Sequence, residues 1–485
     1  MGDQLRRLLA GSAAYQASSL LASALAVVTL PLYTAALSEA EYGYAETLLT
    51  AIILLSILLR LGLGEALVRF WFDTEEGPAR VALARAATGW TFAATTAAAA
   101  VLLVFAGPLS EALLTVRDAG LLACGVLGLW AFTNLEVAYA LLRVEERRGV
   151  YLAASCANVV LTVALTVVLV VVLDEGATGY VLGNYAASTV VLLGLWWRER
   201  RRIAFVPPRW QTLAPLTRYG GPTVPADAAV FALNVVDRAY LVRSQGAAAA
   251  GVYAVAVKLA TVVIVAVRGF QAAWPPLAYS VTDAAEAGRL YARVTTAYVV
   301  VTGAVVCGVT LLGRWVVDLL ADDRFGAAFE ALPWVALGWA LYGLYLVFVT
   351  IAGRAKATGR NLPAAAAGLV VNVVVLVLLV EPLGIAGAGI ALCASYVVML
   401  AVLHRLTRTL FEVPFERARL AGAVLVYAGV AVAGELLLPT DGLDGLALRV
   451  VALGVAAPLL VAARVVSLAE LRQLSGAVQT RVRRR

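Results

Sequence analysis

Histidine occurs once in these 485 residues, at His404, and lysine only twice, at Lys258 and Lys356. With a single histidine, neither a zinc site nor a histidine base in a catalytic triad has its parts. The four cysteines, Cys124, Cys156, Cys307 and Cys393, lie far apart inside apolar runs. They form no C-x-x-C pattern and read as small core residues rather than ligands or disulfide partners. No metal site and no resident cofactor is therefore expected. A G-x-x-x-x-G-K-[ST] loop is also missing, which excludes an ATP-driven pump. Charge itself is scarce, at 14% of residues against about 25% in an ordinary soluble chain.

What fills the space is apolar: 62% of the residues, with a mean hydropathy of +0.88. At ~20 residues per crossing, that much apolar chain allows at most about fifteen membrane spans. Windows long enough to cross fall at about 11–37, 44–64, 83–106, 119–142, 149–173 and 178–197. Six more follow at about 221–242, 248–274, 291–313, 331–352, 362–380 and 384–403, and two at about 419–438 and 445–465. Backbone groups in lipid must be satisfied within their own segment, so these windows predict an all-α integral membrane protein of about 14 helices.

The net charge of +7 is read first as topology, because Lys and Arg collect in short cytoplasmic loops. One set of alternate connections carries Arg143, Arg147 and Arg148, then Arg198, Arg200, Arg201 and Arg202, then Arg354, Lys356 and Arg360, then Arg405 and Arg408. The other set holds Glu39, Glu41, Asp174, Glu175, Asp322, Asp323 and Glu381. Both termini are thus expected in the cytoplasm of a multi-pass cell-membrane protein, with the basic tail drawn to anionic lipid heads. Nucleic acid is not an expected partner.

The longest break, with Pro207, Pro208 and Pro215, divides the chain. Residues 1–197 make an N-lobe of six helices, 198–220 a cytoplasmic linker, 221–410 a C-lobe of six, and 411–485 two further helices and the tail. The lobes show a weak repeat at an offset of about 208: Gly43 matches Gly251 and Arg60 matches Arg268. An even number of helices per lobe gives a parallel repeat about an axis along the membrane normal.

Ionisable residues within a span are costly and mark function by default. Arg60, Arg268 and Lys258 form a basic ladder toward the midplane, suited to an anionic head group such as a pyrophosphate. The structural alternative is that the two arginines snorkel to the interface and that Lys258 pairs with a buried acid such as Asp237. Asp237 and Arg238, toward the outer end of the seventh helix, are a structural pair or a substrate contact. Asp227 follows Gly220, Gly221, Pro222 and Pro225, a loosened helix start that could act as a hinge. Glu136 and Arg143 are expected to pair along one helix face, and Gln16 and Ser19 to line the cavity or bond a neighbouring helix.

Several strings resemble the polysaccharide (O-antigen type) flippases of the multidrug, oligosaccharidyl-lipid and polysaccharide exporter superfamily. They are LPLYTAALSEAEYGYAE from Leu30, LGLGEALVRFWF from Leu61, NVVDRAYLVRSQGAAAAGVYAVAVKLA from Asn234, FQAAWPPLAY from Phe270 and VNVVVLVLLVEPLGIAGAGIALCASY from Val371. The resemblance implies a MATE-like fold of two lobes around a V-shaped cavity. It implies alternating access that moves an undecaprenyl-pyrophosphate-linked oligosaccharide to the outer leaflet for cell-surface polysaccharide synthesis. Arg60, Arg69, Lys258 and Arg268 then become the head-group candidates, and Asp237, Arg238 and Asp227 the gate or coupling residues. The lipid-linked oligosaccharide, membrane lipids and polysaccharide polymerase machinery are the implied partners, with a membrane potential or a cation gradient as the energy source. A lipid II flippase and a cation-coupled multidrug exporter are the alternatives; the latter usually needs an acid in the first helix, and 11–37 contains none.

Overall fold

The computed structural model describes residues 21–466 apart from 75, 76, 202, 282 and 356, and these are helices and their connections only. Gln16, Ser19, Lys356 and the basic tail lie outside the described residues. In chain order the helices are α1 (Leu21–Ala36), α2 (Glu39–Arg60), α3 (Leu63–Asp73), α4 (Pro78–Val104), α5 (Ala106–Leu114), α6 (Ala119–Val144), α7 (Arg148–Val167), α8 (Gly176–Arg198) and α9 (Trp210–Gly220). They continue as α10 (Val224–Ser244), α11 (Ala247–Leu259), α12 (Thr261–Ser280), α13 (Ala284–Leu320), α14 (Ala328–Arg354), α15 (Asn361–Thr407), α16 (Arg417–Leu437) and α17 (Gly442–Ala462).

Among the described residues ten helices are long and apolar enough to cross a membrane, or eleven when α11 and α12, bent by 47° at their junction, count as one span. This is a multi-span membrane protein. Three of the fourteen expected windows fall outside that count for physical reasons. Only 21–36 of the first window is described. Helix α10 carries Asp227, Asp237, Arg238 and Arg243, which lower its apolar character. Windows 362–380 and 384–403 form one continuous element, α15, broken where Gly384 takes φ 56° just after Pro382.

Local sequence explains where the helices start and stop. Ser38 and Glu41 form a reciprocal capping box at the start of α2: the Ser38 hydroxyl accepts from Glu41 N (3.3 Å), and the Glu41 carboxylate accepts from Ser38 N (2.9 Å). Two orphan donors are thereby satisfied. Helix α2 ends where Leu61 and Gly62 adopt left-handed conformations. Asp118 and Asp283 cap α6 and α13 through their side-chain oxygens. Within 198–220, α9 buries Leu213 and Leu216 against Leu63, Leu67 and Trp71.

Contacts draw the connections into two groups. In an Arg-rich group Arg147 meets Glu199, Arg360 meets the Leu406 carbonyl and Gly288 lies against the Glu412 carbonyl; in an Arg-poor group Arg324 meets the Thr34 carbonyl and Gly176 lies against Glu41. Near the Arg-poor end α2 and α11 touch backbone to backbone. A Cβ on Gly43 would collide with the Ala247 carbonyl and lie 2.8 Å from Gly251 N, while a Cβ on Gly251 would collide with the Glu39 carbonyl and lie 3.0 Å from Gly43 N. These contacts are reciprocal at the offset of 208 seen in the sequence.

Candidate functional site

A cavity of about 920 Å³ lies among α1, α2, α7, α8, α10, α11, α12, α14 and α15. Glu46 of α2 stands in its wall, buried, and gathers the charged groups around it. Lys258 Nζ donates to Glu46 Oε1 (2.7 Å) and to the Tyr180 hydroxyl (2.8 Å), and Tyr180 in turn donates to the same carboxylate oxygen (2.9 Å). Arg238 donates to Glu46 Oε2 (3.2 Å), to the Glu46 carbonyl (2.8 Å) and to the Thr50 hydroxyl. Lys258 also lies 5.6 Å from the ring centroids of both Tyr42 and Tyr180, where the ring faces add to its stabilisation.

One carboxylate thus bonds two cations, and it does so across the molecule: Glu46, Thr50 and Tyr180 come from before the segment 198–220, Arg238 and Lys258 from after it. Burying ions is repaid only when geometry and remaining hydrogen bonds are good. Here the carboxylate has a strong donor at each oxygen and a third from Tyr180. Lys258 is the next-to-last residue of α11, directly before the break at Ala260.

The cavity wall also holds Asp227, Arg268 and Gln271, all exposed, toward the Arg-rich end. Counting ionisable wall residues, three cations (Arg238, Lys258, Arg268) face two carboxylates (Glu46, Asp227). At the Arg-poor end the segment 322–325 bonds α1 and packs on α2. Arg324 donates to the carbonyls of Thr34 (2.9 Å) and Ala35 (3.1 Å), Asp322 N donates to the Thr34 hydroxyl (3.1 Å), and Phe325 packs edge-on against Tyr42 at 5.8 Å. Arg324 is itself held by Asp322 at 2.8 Å, and its guanidinium keeps the Asp322 carboxyl below the ordinary aspartate range.

The sequence candidates are distributed as follows. Asp227, Arg238, Lys258 and Arg268 line the cavity. Asp237 is buried behind its wall, accepting from the Tyr253 hydroxyl at 3.2 Å; the acid that Lys258 meets is Glu46. Arg60 sits outside the lining and bonds Glu136 (3.4 Å) and the Ser56 carbonyl (3.3 Å). Glu136 therefore faces Arg60 rather than Arg143, which lies 6.0 Å from the Tyr151 ring centroid. Arg69 is exposed on the separate short helix α3. Sequence reasoning missed Glu46, although an acid just inside an apolar window is the signal; Glu39 and Glu41 directly before it make it look like a third loop acid.

The described residues form a bundle of membrane-length helices around a charged cavity, tied between the two parts of the chain through Glu46, Arg238 and Lys258. The fold is that of the MOP superfamily. The chain aligns with a lipid II flippase, MurJ, in an inward closed conformation (12% identity, 93% of this chain and 99% of that one, TM-score 0.69). It also aligns with an inward-facing multidrug resistance MATE family transporter of the MOP superfamily (16%, 81% and 94%, TM-score 0.65). A third similar structure is a MOP superfamily transporter from Pyrococcus furiosus described as having a binding pocket of reverse polarity (16%, 86% and 94%, TM-score 0.56). No curated protein matches by sequence. The chain belongs to the polysaccharide biosynthesis protein family, whose model matches residues 8–278, more than half its length.

Proposed function

We propose that the protein is a flippase that carries an undecaprenyl-pyrophosphate-type lipid-linked oligosaccharide from the cytoplasmic to the outer leaflet of the cell membrane. The observation that carries this reading is the cavity wall with its excess of cations, in a family tied to polysaccharide biosynthesis. In this reading the chain crosses fourteen times, as two six-helix lobes (1–197 and 221–410) and a C-terminal pair, with both termini and the Arg-rich end in the cytoplasm. Arg268 at the exposed mouth meets the pyrophosphate first, and Arg238 and Lys258 receive it deeper.

Glu46 sets the coupling. It serves as the internal anion for both deep cations and ties the lobes together. An arriving pyrophosphate, with more oxygens and more charge, competes for the same donors and frees Glu46, so substrate binding loosens a tie across the lobe interface. Asp227, Asp237, Arg60 and Arg69 act as supporting charges around this path, and Gln16 and Ser19 as polar residues of the first helix facing it. A polysaccharide polymerase would take the delivered product. The energy source in this scheme is the membrane potential or a cation gradient.

The test is translocation of defined lipid-linked oligosaccharides in proteoliposomes, with and without an imposed potential. Lys258→Met and a double neutralisation of Arg60 and Arg268 should each abolish flipping while the protein inserts normally. Wild-type flipping rates in either well-inserted variant would refute the head-group assignment. Equal transport of a peptidoglycan precursor in the same vesicles would extend the cargo to lipid II.

A further inference from the structure

A second cavity, of about 690 Å³, lies on the flank of the bundle between α13, α14 and α16, away from the charged site. Its wall is apolar along its length and charged at one end only. Arg314, near the end of α13, and Glu330, in the first turn of α14, both line it and both stand at the Arg-poor end. The third charged residue of its lining, Glu435, is already held by Arg449 at 2.5 Å. Arg314 has its guanidinium 3.8 Å from the Phe329 ring centroid and, among the described residues, no ion pair or hydrogen bond. Glu330 is exposed and has no ion pair among the described residues.

The dimensions fit one chain of one leaflet. From Arg314 back to Tyr298 the lining of α13 spans sixteen residues, about 24 Å of helix, and from Glu435 back to Val424 that of α16 spans about 16 Å. Half of the hydrocarbon core is about 15 Å. The α16 wall matches that depth and the α13 wall exceeds it, so the groove is long enough for one acyl chain. Gly303, Ala340, Ala428 and Ala431 hollow it between larger side chains.

We propose that this groove binds one membrane phospholipid of the phosphatidylethanolamine class. Its phosphate lies on Arg314, its primary ammonium on Glu330, and one acyl chain in the groove. A guanidinium and a carboxylate at one mouth, neither ion-paired among the described residues, complement a zwitterionic head group, whereas a purely anionic head group would leave Glu330 opposed. A choline head group carries no N–H to donate to that carboxylate.

The experiment is native mass spectrometry of the full-length detergent-solubilised protein, incubated with phosphatidylethanolamine, phosphatidylcholine or phosphatidylglycerol of matched chains. Wild type should retain a single phosphatidylethanolamine about tenfold over the other two, the scale of one hydrogen bond between charged groups. Glu330→Gln should erase the preference over phosphatidylcholine, Arg314→Gln should lower retention of all three, and Ala428→Trp should fill the groove and abolish retention. Glu330→Gln keeps the test sound if the tryptophan variant does not fold, because Glu330 is exposed. Equal retention of the three lipids by wild type, or an unchanged preference in Glu330→Gln, would overturn the proposal. So would displacement of the bound lipid by an equimolar polyprenyl pyrophosphate, which would give the groove to the carrier's tail.

Discussion

Gly43 and Gly251 meet with no side chain between them, each occupying the space that a Cβ on the other's helix would need. Alanine favours a helix over glycine by about 1 kcal/mol, so in open surroundings either substitution would stabilise. At this contact the sign reverses, because the atoms in the way are backbone and the helices must separate, at a cost of about 1–3 kcal/mol. Gly43→Ala and Gly251→Ala should each lower the thermal midpoint in detergent. Gly429→Ala, with nothing within 4 Å of its Cβ, should leave the midpoint unchanged or raise it.

Removing Glu46 leaves two cations facing each other without their shared anion. Glu46→Gln should destabilise the protein by about 3–5 kcal/mol, the scale for one partner lost from a buried pair. Adding Lys258→Met to it should recover part of that loss, since the double variant holds one uncompensated charge fewer. A double-mutant cycle on unfolding free energies measures this coupling; strict additivity would show that the two groups do not interact.

The latch at the Arg-poor end should respond to acid. Asp322 has a lowered pKa in the folded protein, so its contribution is fully present above the ordinary aspartate value near 3.9 and is lost as the pH falls through the lowered folded value. Thr34 is buried beneath this latch. A cysteine placed at Thr34 should therefore label slowly with maleimide at neutral pH, and several-fold faster once Arg324→Ala is added. Unchanged labelling in the Arg324→Ala background would mean that the latch does not hold that end shut.

Arg449 is fully buried in α17 and donates to Glu435, to the Pro439 carbonyl (3.0 Å) and to the Leu311 carbonyl (3.1 Å), with the Trp315 ring 5.5 Å away. Arg449→Met should detach α16 and α17 from α13 at a cost of about 3–5 kcal/mol. Limited proteolysis in the connection 408–416 reads this out. Arg449→Lys should rescue little, because one ammonium cannot serve the positions of a planar fork.

The bundle was legible in the sequence wherever a helix is apolar throughout, since lipid leaves the backbone no other choice. It was least legible where a helix does chemistry. Helix α10 is the clearest case, because its charges weaken the apolar signal that identifies a span. Gly43 and Gly251, matched in the sequence at an offset of 208, lie where two helix backbones touch, an approach that admits no side chain. Arg268 and Lys258 stood out as cations in apolar runs, and the cavity does collect them. Their partner did not stand out. Glu46 bonds residues 192 and 212 positions away, and no local pattern encodes such a separation. Arg60 shows the converse, an eye-catching charge whose partner lies on the neighbouring helix α6.

The break at Ala260 separates Lys258 from Arg268, which would otherwise ride on one straight rod at a fixed spacing of ten residues. With a 47° bend between them, the two cations stand on differently directed helix axes, Lys258 on α11 beside Glu46 and Arg268, exposed, on α12. The spacing of these positive charges is thus set by the angle at the junction and not by helix rise alone.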